Sequence, residues 1–252
     1  MQSRFRLVGL LAALATVLTF VGAVAGAVVL IAQDEGIYNR RDIVREATGL
    51  ETQEALTAYI GMSAQEQEAF AREIASRMGD ESLDFDGIGL NEREQQHMLD
   101  VRAIVLRMQS VAQLCLSAAA VLAVAASWAG AGRRQSRRAA LGGVLWGVSA
   151  LGVAAAALAA AVCVAGFERS FYFMHELLFD NDLWLLNPHT DMLIRIMPQL
   201  LFERTAIRLL GTAAALFALV LALLAATASV FGGVIRRMSD ANRGDEPEGE
   251  SR

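Results

Sequence analysis

Four uncharged apolar runs dominate the chain, at residues 7–32, 111–132, 139–167 and 209–235. Each exceeds the ~18 residues at which such a run reads as a membrane-spanning helix, and at ~1.5 Å per residue each can cross a ~30 Å hydrocarbon layer. All are rich in Ala and Gly, which let helices approach closely in lipid, so the pattern predicts a compact bundle. Two segments of mixed character separate them. In residues 33–107, Leu56, Ile60, Phe70, Ile74 and Met78 recur at spacings that share a helical face, with Glu66, Glu68, Arg72 and Glu73 on the others. Ser63 followed by Glu66 predicts a capping box. Asp84, Asp86 and Gly87 predict a solvated turn, because the rest of a calcium loop is missing. Asn91 with Glu94 predicts a second capped start, for a helix leading into the second span. Residues 168–208 are too apolar and aromatic for a solvated loop and read as a segment lying at headgroup level. The predicted fold class is an all-α membrane protein: a four-transmembrane-helix bundle with a helical extracytoplasmic cap and an aromatic interfacial segment.

Charge gives this bundle two sides. Of 252 residues 55% are hydrophobic and only 19% charged, a composition that argues against a soluble enzyme. All 22 basic residues are arginine, which removes Schiff-base chemistry, a Walker-type phosphate lysine and a Ser-Lys dyad. Arg4 and Arg6 precede the first span, Arg133, Arg134, Arg137 and Arg138 fill a hinge at 133–138, and Arg236 and Arg237 follow the fourth span. Arginine clusters stay cytoplasmic, so the termini, 1–6 and 236–252, are expected on the cytoplasmic side of the membrane and residues 33–107 and 168–208 on the outer side. The first long connection carries sixteen acidic residues against eight arginines, an acidic outer cap hidden within a net charge of −5. The negative total argues against nucleic acid as a partner. The polar tail from Asp240 is expected to be disordered. The first run is much longer than the ~7–15 apolar residues of a signal peptide, so an uncleaved anchor is expected. Cys115 and Cys163 lie within spans, where they form neither a CxxC motif nor an exposed redox pair.

Candidate chemistry concentrates at two histidines. Glu94, His97 and Asp100 fall at i, i+3 and i+6, a polar stripe in which flanking carboxylates can orient an imidazole and raise its basicity. The second block runs from Phe171 through His175, Glu176, Phe179, Asn181, Asp182 and Trp184 to Pro188 and Asp191. Polar groups in such an apolar setting are costly unless paired, which makes His175, Asp182 and Asp191 site candidates. Either histidine also admits a structural role, and Trp184 and Phe179 suit an aromatic belt as well as a substrate contact.

Read together, Glu92-Arg93-Glu94 through His97-Met98-Leu99-Asp100-Val101, and His175-Glu176-Leu177 through Asn181-Asp182-Leu183-Trp184, Pro188, Asp191 and Pro198, resemble a family of bacterial four-span membrane proteins. That family includes the lipoprotein intramolecular transacylases. Asn187 where an acid is usual, Leu201 where an aromatic is common, and the additional His189 mark a divergent member. The resemblance implies transfer of an acyl chain from the glyceryl sn-2 ester of a lipoprotein anchor to the α-amine of its N-terminal cysteine. It assigns the essential histidines to His97 and His175. It leaves Glu94, Asp100, Glu176, Asn181, Asp182, Trp184 and Asp191 as orienting or substrate-binding candidates. No cofactor or metal is called for; the partners implied are membrane lipid and lipoprotein anchors, with the oligomeric state open. Such a transfer needs a base for an amine of pKa ~7.7–8.0, which an imidazole near ~6.5 suits, and a donor for the oxyanion. Which histidine takes which part stays open. Two other classes fit the same residues, a non-catalytic assembly or sensor protein using the acidic cap, and a metal or haem protein ligated by the two histidines.

Overall fold

The computed structural model describes residues 2–130 and 134–244. Among these the chain forms α1 (Gln2–Ala32), a 3-10 turn (Glu35–Ile37), α2 (Arg41–Thr48), α3 (Gln53–Ile60), α4 (Ala64–Arg77), α5 (Glu92–Ala129), α6 (Arg134–Ala165), α7 (Phe167–Leu178), α8 (Met192–Ile196) and α9 (Gln199–Gly244). Helices α1, α5, α6 and α9 are long and apolar enough to cross a membrane. They run past the apolar runs because polar turns at their ends continue the same helix. The described part of the hinge, from Arg134, is the first turn of α6, and Arg133 lies outside the described residues. The tail expected to be disordered is helical as far as Gly244, and 245–252 lie outside the described residues.

The described chain divides into two compact units. In the first, made of residues 1–23, 112–157 and 214–252, glycine sets how closely helices approach. A Cβ on Gly9 would stand 3.2 Å from the carbonyl oxygen of Ala139, one on Gly143 would collide with the backbone of Gly9, and one on Gly147 would press on Thr16 at 3.1 Å. Helices α1 and α6 therefore pack backbone against backbone, the small-residue contact expected of helices in lipid. Thr16 and Thr19 are buried, and their hydroxyls donate back to the carbonyls of Ala12 and Ala15 at 2.9 and 2.8 Å, so neither hydroxyl faces the apolar contact unpaired. Phe20 meets Phe217 edge to face at 5.6 Å.

The second unit, residues 24–111 and 158–213, holds a hydrophobic core of its own. Leu56 and Ile60 of α3, Phe70 and Ile74 of α4, Met78 that ends α4, and Met98 of α5 all contribute to it. The five apolar positions expected on one helical face occupy two helices. Gly61 ends α3 with φ +85°, a backbone that favours glycine, and Ser63 restarts the chain with the expected capping box to Glu66. Met192, Leu193 and Ile196 of α8 insert into this same core, so the two connecting segments form one body. Most of its buried polar side chains bond locally, although the Nε atoms of Arg41 and Arg195 are left without a partner. The Arg41 guanidinium donates to the Met62 carbonyl, Gln67 and Thr57 at 3.0–3.2 Å, and Gln67 donates to the Tyr38 carbonyl at 3.2 Å. Arg102 donates to the carbonyls of Asp80 and Leu83 while lying over Phe85. At the Asp84–Gly87 turn the carbonyls of Asp84 and Asp86 accept from Arg77.

Candidate functional site

Helix α5 opens as its sequence predicts, with Asn91 accepting from the Glu94 N–H at 3.0 Å and Glu94 accepting from the Asn91 N–H at 2.9 Å. One turn on, this helix presents His97. Gly166, at φ +85°, breaks the chain between α6 and α7, and α7 then carries His175 on the only one of its faces that is buried. The two imidazoles meet with ring centroids 6.3 Å apart, and only 7% of His97 and 8% of His175 is exposed.

Aromatic rings enclose the pair. Phe179 lies 5.2 Å from His97 and 5.6 Å from His175. Phe171 and Trp184 flank His175 at 4.1 and 4.9 Å, with Phe202 behind Phe171 and Tyr172 against Trp184. The Nδ1 of His175 is 2.8 Å from the carbonyl of Phe171 one turn back. A carbonyl only accepts, so this contact assigns the proton to Nδ1 and leaves Nε2 with its lone pair. The Nδ1 of His97 is buried without a hydrogen-bond partner.

Burial sets the charge of both rings. Desolvation, reinforced by His175 and Arg93 and only partly opposed by Asp100, pushes the pKa of His97 down to about 4. Burial also lowers His175, against the upward pull of the Phe171 carbonyl. The expectation that flanking carboxylates would raise the basicity of His97 is thus corrected: loss of water outweighs their attraction.

The carboxylates have other partners. Glu94, 1% exposed, accepts from the Leu193 N–H at 2.6 Å as well as from Asn91, so it ties α5 to α8 instead of orienting His97. Asp191 accepts from the Asn91 amide, the Asn187 N–H and the Thr190 hydroxyl. Burial alone would raise its carboxyl; these donors and Arg93 outweigh that and hold it below the usual range. Asp100 accepts from Asn181 at 2.9 Å. The Asp182 side chain is exposed and only its backbone carbonyl is engaged, by Arg93, which also reaches the Leu185 carbonyl. His175 is therefore oriented by Phe171, not by Asp182. Glu176 points away, beside Glu168, Arg169, Tyr172 and Phe173 along an open groove. His189 is exposed, its N–H bound to Asn187. Among the described residues, no three of His, Cys, Asp and Glu converge as a metal-binding group.

The fold thus brings together His97, His175 and Trp184, and turns Glu94, Asp100 and Asp191 into struts around them, while Glu176 and Asp182 stay outside. Sequence reasoning passed over Phe171 and Arg93 as site residues. Both stand four residues before a histidine, the helical spacing that sets them beside its ring, and that spacing was the available signal.

These features define a multi-pass helical membrane protein with a buried histidine pair under aromatic rings. The chain belongs to the lipoprotein intramolecular transacylase Lit family, whose model matches residues 10–202. It is similar in fold to the membrane-integral lipoprotein intramolecular transacylase Lit from Bacillus cereus, with a TM-score of 0.64 and 17% identity, over 94% of this chain and 100% of that one. A structure of the same Bacillus cereus protein carrying a histidine-to-arginine mutation matches with a TM-score of 0.59 and 18% identity, over 93% of this chain and 94% of that one. No curated protein sequence matches the chain. Membership makes it a bacterial multi-pass membrane acyltransferase, and it decides among the classes that the sequence alone left open.

Proposed function

We propose that the enzyme moves the sn-2 acyl chain of a diacylglyceryl-cysteine lipoprotein to the α-amine of the same cysteine, using His175 as base and His97 as hydrogen-bond donor. The observation that carries this reading is the paired, buried imidazoles 6.3 Å apart, one with its tautomer set by a backbone carbonyl. His175 Nε2 accepts the amine proton as nitrogen attacks the ester carbonyl. His97 stays neutral because it is buried, and a ring N–H supplies the oxyanion donor. The proton on His175 then passes to the departing sn-2 oxygen. Amine and ester belong to one anchor, so folding that anchor onto the histidines makes the step intramolecular, and proximity supplies a large part of the rate. Apolar Leu177 and Leu178, exposed on α7 beside the pair, suit acyl chains. The arginine clusters at 4–6, 133–138 and 236–237 support a topology with both termini cytoplasmic and the histidines on the outer side, where lipoprotein anchors are met.

The test is to express the chain in a host that makes diacylated lipoproteins and to read N-terminal lipopeptides by mass spectrometry. The expected product is an N-acylated lyso form of unchanged total mass. Unmodified lipopeptides, with the protein shown to be inserted in the membrane, would overturn the reading.

A further inference from the structure

Among the described residues Phe179 is the one ring within 6 Å of both imidazoles, 5.2 Å from His97 and 5.6 Å from His175, closing a triangle whose third side is the 6.3 Å between the histidines. It is held there from both directions along the chain. Its N–H donates to the His175 carbonyl at 2.9 Å as α7 ends, and two residues on, Asn181 donates to Asp100 of α5. Its backbone is extended, with φ −126° and ψ 133°, which turns the chain away from the helix axis at the position where the ring covers the pair.

We infer that Phe179 determines which nucleophile receives the acyl group, by excluding water from the space between the two histidines. The inference rests on the transacylase reading above and adds to it. A base that can take a proton from an amine can take one from water. In transfer, nitrogen bonds to the carbonyl carbon, the bond to the sn-2 oxygen breaks, and the amine proton reaches that oxygen through the histidine. In the competing leak, a water oxygen bonds to the same carbon, the same ester bond breaks, one water proton reaches the sn-2 oxygen, and the chain leaves as a free fatty acid with the α-amine unmodified. The amine is delivered by its tether, while water arrives from any open side. An apolar ring against both imidazoles leaves water no polar partner on that side, so only the tethered nucleophile reaches the carbonyl.

The experiment follows both products made by the purified full-length enzyme from a synthetic diacylated lipopeptide in ¹⁸O-labelled water. N-acyl lipopeptide reports transfer, and labelled free fatty acid reports hydrolysis. Phe179→Ala is expected to raise the ratio of hydrolysis to transfer by about tenfold, the size of discrimination an apolar contact supplies. Phe179→Leu keeps apolar volume that the fold tolerates and is expected to give a smaller rise in the same direction. A ratio unchanged in Phe179→Leu, with Phe179→Ala either unchanged or too unstable to purify, overturns the inference even if total turnover falls. A wild-type enzyme that makes no N-acyl product would instead remove the transacylase reading itself.

Discussion

In the cap core, buried polar side chains find their partners: Arg41 meets three acceptors, Gln67 meets a carbonyl, and Arg102 meets two. Among the described residues the Nε atoms of Arg41 and Arg195 are buried there without a partner, but Arg41 stays bonded through its other two nitrogens. At the histidine pair the same depth of burial leaves His97 Nδ1 without a partner and His175 Nε2 with a free lone pair. Leaving a buried polar atom unpaired costs about 1–3 kcal/mol, and under the proposed function the substrate supplies the bond that His97 lacks. The contrast is that Arg41 lacks one bond and keeps three, whereas the His97 imidazole is left with a buried nitrogen unpaired. It also explains why Glu94 and Asp191, which look catalytic by type, belong with the cap.

The contrast is broken most directly at the histidines. His175→Ala and His97→Ala are each expected to lower transfer by about 10²–10⁴-fold with insertion and thermal stability retained, measured on a diacylated lipopeptide. Loss of folding in parallel with activity would make them structural. Glu94→Ala should do the reverse. It removes the acceptor for two N–H groups and orphans the buried Leu193 amide, so a loss of about 3 kcal/mol of stability is expected in detergent denaturation.

Acid should act on the pair and spare the cap core. The folded-state pKa of His97 is about 4 against 6.5 in the unfolded chain, and His175 shifts the same way. Between those values the unfolded chain binds more protons, so stability falls as pH drops from about 6.5 and levels off below about 4. The loss expected from His97 is on the order of 3 kcal/mol. A His97→Gln variant should show a shallower slope across that window, and an unchanged slope would place the titration elsewhere. Arg41→Ala, which frees three cap acceptors, is expected to cost about 1–2 kcal/mol while leaving the ratio of hydrolysis to transfer alone. Smallest is Thr52→Ala, which loses the cap on α3 where the hydroxyl accepts from Ala55 at 3.2 Å. About 1 kcal/mol of stability and no change in activity are expected.

Legibility in the sequence followed the range of the interaction. The four spans, the Ser63–Glu66 box and the Asn91–Glu94 cap were all readable, since each depends on residues within a few positions of one another. The single helical face drawn through Leu56 and Met78 failed at Gly61, whose positive φ ends a helix that the apolar spacing alone would have continued. The roles of the acids failed for another reason. Glu94 was read against His97, its neighbour on the helix, but the amide of Leu193 competes for the same oxygens, and nothing near Glu94 in the chain announces it.

What the sequence determined by itself was the solvent of each part and the chemistry on offer. Uninterrupted apolar length requires lipid, and two histidine blocks in a lysine-free, cysteine-poor chain offer imidazole as the candidate reactive group. Tertiary structure alone decided the state of those imidazoles. Their separation, the carbonyl that fixes one tautomer, the missing partner on the other and the ring of Phe179 against both arise when α5 and α7 pack together. Desolvation depends on everything that displaces water around a group, so the fall of His97 to about 4 could not be read from the carboxylates beside it.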